Sequence, residues 1–261
     1  SADQTISGVI SGSGALVKDN SGTMTLSGSN TFTGNVLISG GTLATGANNV
    51  TTFGANTAGR TVTVDGATSV LDVAHINSIS GAGHGTENNI TLIAQNGGII
   101  RNSGTAVNRI GDVTLNGGTL EANVTDASWG SWYLGTRNGG QEATVTVGGA
   151  AASTISGTGN VKLGTNTNFN VADATGDSNT DLTVSAILDN QTATQSGAAG
   201  GFTKLGAGTM ELTGVNTYTG GTTISAGTLE IGGAGQLGSG TYAGAISNSG
   251  IFEYNSSAAQ T

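Results

Sequence analysis

The chain has 261 residues, of which 47 are Gly, 7 are Lys or Arg and 16 are Asp or Glu, with no Pro and no Cys. A net charge of −9 without clustered cations excludes nucleic-acid binding, the missing Cys excludes a disulfide framework, and no run approaches the ~18 apolar residues of a membrane span. Glycine far above the usual ~7% would suit a disordered chain, but the 35% hydrophobic residues recur in short alternating runs, which excludes that class too.

Taken in chain order, Ser1-Ala2-Asp3-Gln4-Thr5 leads directly into a strand-like run with no signal peptide, so the chain reads as a mature fragment or an excerpt of something longer. Thr61-Val62-Thr63-Val64 then alternates apolar with polar, and so do Asp112-Val113-Thr114-Leu115-Asn116 and Ala143-Thr144-Val145-Thr146-Val147. Asp181-Leu182-Thr183-Val184-Ser185 and Thr209-Met210-Glu211-Leu212-Thr213 follow the same rule. Each is bounded by Gly-Gly, Asn-Gly, Asp-Gly or Ser-Gly, which predicts strands with one buried and one wet face. Apolar stripes of helical period longer than two turns do not occur.

The chain repeats itself. Placing Lys18 on Lys204 without a gap puts Gly22-Thr23-Met24 on Gly208-Thr209-Met210, Leu26 on Leu212 and Gly28 on Gly214. Asn30-Thr31-Phe32-Thr33-Gly34 then falls on Asn216-Thr217-Tyr218-Thr219-Gly220, and Gly41-Thr42-Leu43 on Gly227-Thr228-Leu229. Units too short to bury their own apolar face must stack. The expected fold is therefore all-β, a right-handed parallel β-helix (β-solenoid) of roughly 18–25 residues per coil and roughly 10–13 coils, a rod of roughly 50–60 Å at ~4.8 Å per step. A sandwich or barrel would show similar strands but not the long-range self-similarity. Residues 1–261 read as a single solenoid, with repeat units at about 10–46 and 197–233 and divergent coils between them.

Gly22 to Gly34, and again Gly206 to Gly220, resemble the autotransporter-associated β-strand repeat, also called the passenger-associated transport repeat. Its pattern runs Lys-x-Gly-x-Gly-Thr-Leu-x-Leu-x-Gly-x-Asn-Thr-Tyr-x-Gly, then Thr-x-Ile-x-x-Gly-Thr-Leu. The second copy fits with Met210 at the first Leu; the first copy departs from it at Asp19-Asn20-Ser21 and Asn35-Val36-Leu37. The resemblance implies a large bacterial surface or secreted protein whose passenger region is a β-helix, hence an extracellular location. The expected function is a structural or adhesive fibre segment and not an enzyme, without a cofactor and without membrane insertion by this segment. The alternative is a polysaccharide-binding or polysaccharide-cleaving β-helix. The end of the chain, Ser257-Ala258-Ala259-Gln260-Thr261, nearly repeats Ser1 to Thr5. That predicts head-to-tail pairing with further copies of itself, in a tandem polypeptide or a filament; surface glycans or host matrix are the other partners considered.

His75 and His84 lack converging ligands, and His84 sits in a Gly-rich turn. Asp173, Asp177 and Asp181 have the spaced carboxylates of a Ca²⁺ loop without the spacing of a known one, so an acidic turn is expected. Trp129, Trp132 and Tyr133 concentrate both tryptophans within four residues and are the candidate sugar contacts, with one Trp expected to face outward. Asn30 and Asn216 are expected at corners, in left-handed backbone and bonded to neighbouring amides; Phe32 and Tyr218 beside them should fill one core slot. Asp65, Asp72, Arg101 and Arg109 are the only set loosely suited to a polysaccharide-cleaving centre.

Overall fold

The computed structural model describes residues 2–79, 88–104, 107–125, 130–135, 142–165, 167–191 and 199–261. Among them are 25 short strands and, as the only helical element, one 3-10 turn at Gly238–Gly240. The strands form three sheets of 11, 10 and 4 strands, here called A, B and C. Every strand pairing within them is parallel. The chain passes from B to A and round again, so each neighbour in a sheet belongs to the next coil. This is a parallel β-helix.

Sheet A has 11 strands, within the expected coil number, and its ten steps of ~4.8 Å span about 48 Å. The coils themselves vary more than expected. Met24 pairs with Leu43 and Leu212 with Ile231, 19 residues on in each case, whereas Leu120 pairs with Ile155, 35 residues on. The repeat builds short coils, and the step from Ile100 to Leu120, outside the repeat, is nearly as short at 20 residues. Among the described residues four consecutive coils carry a third strand, and these strands form sheet C: Asn108–Ile110, Trp132–Leu134, Asn160–Leu163 and Ile187–Asn190. In repeat coils the third side is an extended segment instead, with Thr31 N–H donating to Ile10 O and Thr33 N–H to Gly12 O, both at 2.9 Å.

Alternation places the core inside the tube. In Arg60–Asp65, Val62 and Val64 are fully buried while Thr61 and Thr63 face out. Partners in successive coils stack like on like, so Leu43, Leu71, Ile100, Leu120, Ile155, Val184, Leu212 and Ile231 make one buried row along sheet A. Each such side chain contributes about 1.5–3 kcal/mol of burial. A second row is aromatic: Phe169, Phe202, Tyr218 and Tyr242 meet edge to face at centroid distances of 5.3, 5.5 and 5.5 Å.

Both sheets slide by two residues between the repeat copies. Following partners from Met24 along sheet A arrives at Leu212 and not at Met210, its sequence counterpart. Along sheet B, the row through Lys204 begins at Leu16 and not at Lys18. Because the slide is even, every side chain keeps its face.

Candidate functional site

The repeat residues line the inside of the coil or the contact between coils. Lys18 and Lys204 lie on the inward face of sheet B, where an aliphatic residue would be the ordinary occupant. The Lys204 ammonium donates to the carbonyls of Leu205 (3.1 Å) and Gly206 (2.9 Å) at its own corner and of Ala226 (3.2 Å) in the next coil. Lys18 repeats the arrangement on Asp19 O (2.8 Å), Asn20 O (2.6 Å) and Gly40 O (2.8 Å). Burial pushes the Lys204 ammonium down to about 8, against the opposing pull of Asp181.

Asn30 and Asn216 each tie three coils. Asn216 Oδ1 accepts from Leu188 N–H (3.0 Å) in the coil before, and its Nδ2 donates to Gln236 O (3.2 Å) in the coil after. Asn30 does the same between Ile10 N–H (2.8 Å) and Thr52 O (2.7 Å). The expectation of left-handed backbone is corrected: neither is among the positive-φ residues, which include Asn20, Asn49, Asn77 and Asn96. Both are selected for their two-ended amide. Phe32 and Tyr218 are both buried, Phe32 beneath the Arg60 guanidinium and Tyr218 between the rings of Phe202 and Tyr242. Tyr218 Oη bonds Thr222 Oγ1 at 2.8 Å, and burial raises its pKa well above the phenolic norm. Gly34 and Gly220 sit where the coils touch, since a Cβ would fall 2.2 Å from Gly14 O and 2.4 Å from Gly200 O.

The candidate sugar contacts are placed otherwise than expected. Trp129 lies outside the described residues. Trp132 is fully buried, with its indole N–H donated to Glu121 O at 2.8 Å, and Tyr133 is also buried, under the Arg109 guanidinium at 5.6 Å from its centroid. Neither offers a face to a ligand. Asp72 and Arg101 pair at 3.0 Å on sheet A, Asp65 ends a strand of sheet B, and Arg109 belongs to sheet C. Their scatter over three sides assembles no centre.

Asp173, Asp177 and Asp181 do not converge either. Asp181 is buried and takes hydrogen bonds from Ala174, Thr175 and Thr209, while Asp173 and Asp177 close local turns on Gly176 and Asn179. No group of three potential metal ligands occurs among the described residues. His75 donates from Nδ1 to Thr45 O at 2.8 Å, and His84 lies outside the described residues.

Sequence reasoning missed the outer row of sheet C, where Arg109, Tyr133, Lys162 and Asp189 stand in register. Lys162 is 1% exposed and bonds Asp189 Oδ2 at 2.5 Å. Burial pushes the Asp189 carboxyl up, but the Lys162 hydrogen bond and charge together with other donors hold it below its ordinary value. The one available signal was the loss of alternation in Trp132-Tyr133-Leu134, a strand buried on both faces.

The passenger-associated-transport-repeat model matches residues 16–44 and 202–231, the two copies whose Lys, Asn and aromatic residues hold the coils together. Neither the curated proteins nor the solved structures give a match. No helix among the described residues is long and apolar enough to cross a membrane.

Proposed function

We propose that this chain is a structural segment of an extracellular passenger, a stretch of β-helical rod that carries adhesive or spacing function along a bacterial surface fibre and catalyses nothing. The observation that carries this reading is the consumption of the repeat's polar residues by the coil itself. Lys18, Lys204, Asn30 and Asn216 all spend their donors and acceptors on backbone of adjoining coils. A catalytic repeat would hold such groups toward a cleft.

The reading includes end-to-end continuity, in which strands Gln4–Ile6 and Ile251–Tyr254 meet further coils of the same polypeptide or of another copy. Support comes from the exposed Ile251 and Tyr254 on an unpaired edge, not from the matching pentapeptides. Those occupy different sides of the coil: Gln4 is in sheet A, while Gln260 packs beyond it, bonded to Leu237 N–H and O at 2.9 and 3.0 Å.

Two measurements test this. Incubation with acidic and neutral polysaccharides should release no product; cleavage abolished by Asp65→Asn or Asp72→Asn would overturn the non-enzymatic reading. Sedimentation of the chain over a concentration series should show end-to-end species, and a monomer at every concentration would remove self-association between separate copies.

A further inference from the structure

At the corner between sheets B and A, three consecutive coils open a cleft of about 310 Å³, lined by Gln95, Asn96, Gly97, Asn116, Gly117, Gly149, Ala150 and Ala151. Its size falls at the lower end of the ~300–1,000 Å³ usual for small-ligand sites. We propose that this cleft binds a neutral oligosaccharide lying along the rod axis.

The lining is chemically selective. It holds three side-chain amides, two methyl groups and bare glycine backbone, with no cation and no aromatic ring. Asp65 fixes two of the amides from behind, accepting Gln95 Nε2 on Oδ2 at 3.0 Å and Asn96 Nδ2 on Oδ1 at 2.7 Å. Those hydrogen bonds lower the Asp65 pKa, so its carboxylate stays ionised and acceptor-only at neutral pH. Both residues line the cleft, and their side-chain carbonyl oxygens and second N–H groups have no protein partner among the described residues. The third amide, Asn116, lies one coil on and has no protein partner among the described residues.

The glycines keep the cleft open. Gly97, Gly117 and Gly149 have φ of 84°, 70° and 83°, the left-handed region. A Cβ on Gly117 would stand 3.1 Å from Ala151 Cβ, and one on Gly149 would stand 3.1 Å from Asn116 Cβ. Coil packing and backbone conformation together enforce a concave floor.

An amide presents a donor and an acceptor side by side, which is the complement of two adjacent sugar hydroxyls, each both donor and acceptor. The Ala150 and Ala151 methyls supply the apolar contact for ring C–H groups. Anionic glycans are disfavoured, because the nearest charge is the Asp65 carboxylate and the chain carries −9 overall. Three coils cover about 10 Å, two steps of ~4.8 Å, enough for about two sugar rings.

The test is a titration of ¹⁵N-labelled protein with cellohexaose and with laminarihexaose, beside tetragalacturonate as the anionic probe. The side-chain amide signals of Gln95, Asn96 and Asn116 should shift with a neutral probe at millimolar concentration and not with tetragalacturonate. Asn116→Ala should weaken the binding about tenfold, one lost hydrogen bond, with an unchanged circular dichroism spectrum and melting temperature. Asp65→Asn, which puts an N–H where an acceptor stood, should reduce binding without touching the ligand. Silence of the three amides with both neutral probes overturns the proposal, as does equal binding of tetragalacturonate or undiminished binding by Asn116→Ala.

Discussion

Lys204 and Ala226 are separated by 22 residues of chain and by 3.2 Å in space, the ammonium of one coil resting on a carbonyl of the next. A cation on the inward face of a tube is costly unless its donors are all used, and here three carbonyls use them. The cost is legible in the pKa of about 8. In the unfolded chain this lysine keeps its proton to 10.5, so between 8 and 10.5 the unfolded state binds more protons and stability rises with pH. Urea unfolding should therefore give a larger free energy at pH 9.5 than at 7.5, by about 2 kcal/mol at most. The gain should vanish in Lys204→Met. Above pH 10 the trend reverses, because buried Tyr218 and half-buried Tyr242 must be neutral in the fold.

Asn216→Ala removes acceptor and donor from three coils at once and strands Leu188 N–H in a buried position. We expect a loss of about 2–4 kcal/mol in equilibrium unfolding. Asn216→Asp should recover part of it, keeping the acceptor for Leu188 while losing the donor to Gln236.

Gly220→Ala puts a methyl 2.4 Å from Gly200 O, backbone against backbone. No rotamer relieves that clash, so a destabilisation of about 1–3 kcal/mol is expected. Gly176→Ala serves as a control: its Cβ meets nothing, and only its φ of 73° resists substitution. The Gly220 variant should melt at the lower temperature.

Glu211, Glu230 and Glu253 stand in register on the outer face of sheet A. Burial, then the charge of Glu230, raises the Glu211 carboxyl above its usual 4.5. A raised folded pKa means stability that is present at low pH and lost as pH climbs through it. Amide protection in Thr228–Ile231 and Ile251–Tyr254 should be greater near pH 4.5 than at pH 7. Glu230→Gln should recover about 0.2–1 kcal/mol at pH 7, the scale of like charges facing across strands.

Far-ultraviolet circular dichroism should report a β-rich spectrum with very little helix. A helical content above about a quarter would contradict the fold.

The coil was readable from sequence because its two signals are local. Alternation in Thr61 to Val64 names the buried face, and the Lys18–Lys204 alignment names the stacking unit. Coil length was less readable. The insertions that stretch Leu120–Ile155 to 35 residues lie off sheets A and B and obey no period. Trp132 and Tyr133 misled for a related reason: the strand Trp132–Leu134 is buried on both faces, so two neighbouring rings that alternate between faces are both covered, while Trp129, the other half of the expected pair, lies outside the described residues. Lys18 and Lys204 were picked out as motif residues, but a lysine pointing inward breaks the alternation rule, and only the carbonyls around it explain the breach. The cleft at Asn116 was not visible at all, since it joins glycine corners of three coils about 20 to 35 residues apart.

The stacking of coils has a mechanical consequence. Hydrogen bonds between coils run along the rod, so a tensile load on its axis passes through every rung in series, and the weakest rung yields first. Rungs fastened by Asn216 and Lys204 carry side-chain rivets in addition to backbone bonds. A 19-residue coil such as Met24 to Leu43 occupies one ~4.8 Å step when wound and about 60 Å when drawn straight. A tethered rod of this design lengthens more than tenfold at each coil that gives way, absorbing a tug by paying out slack while the riveted coils stay wound.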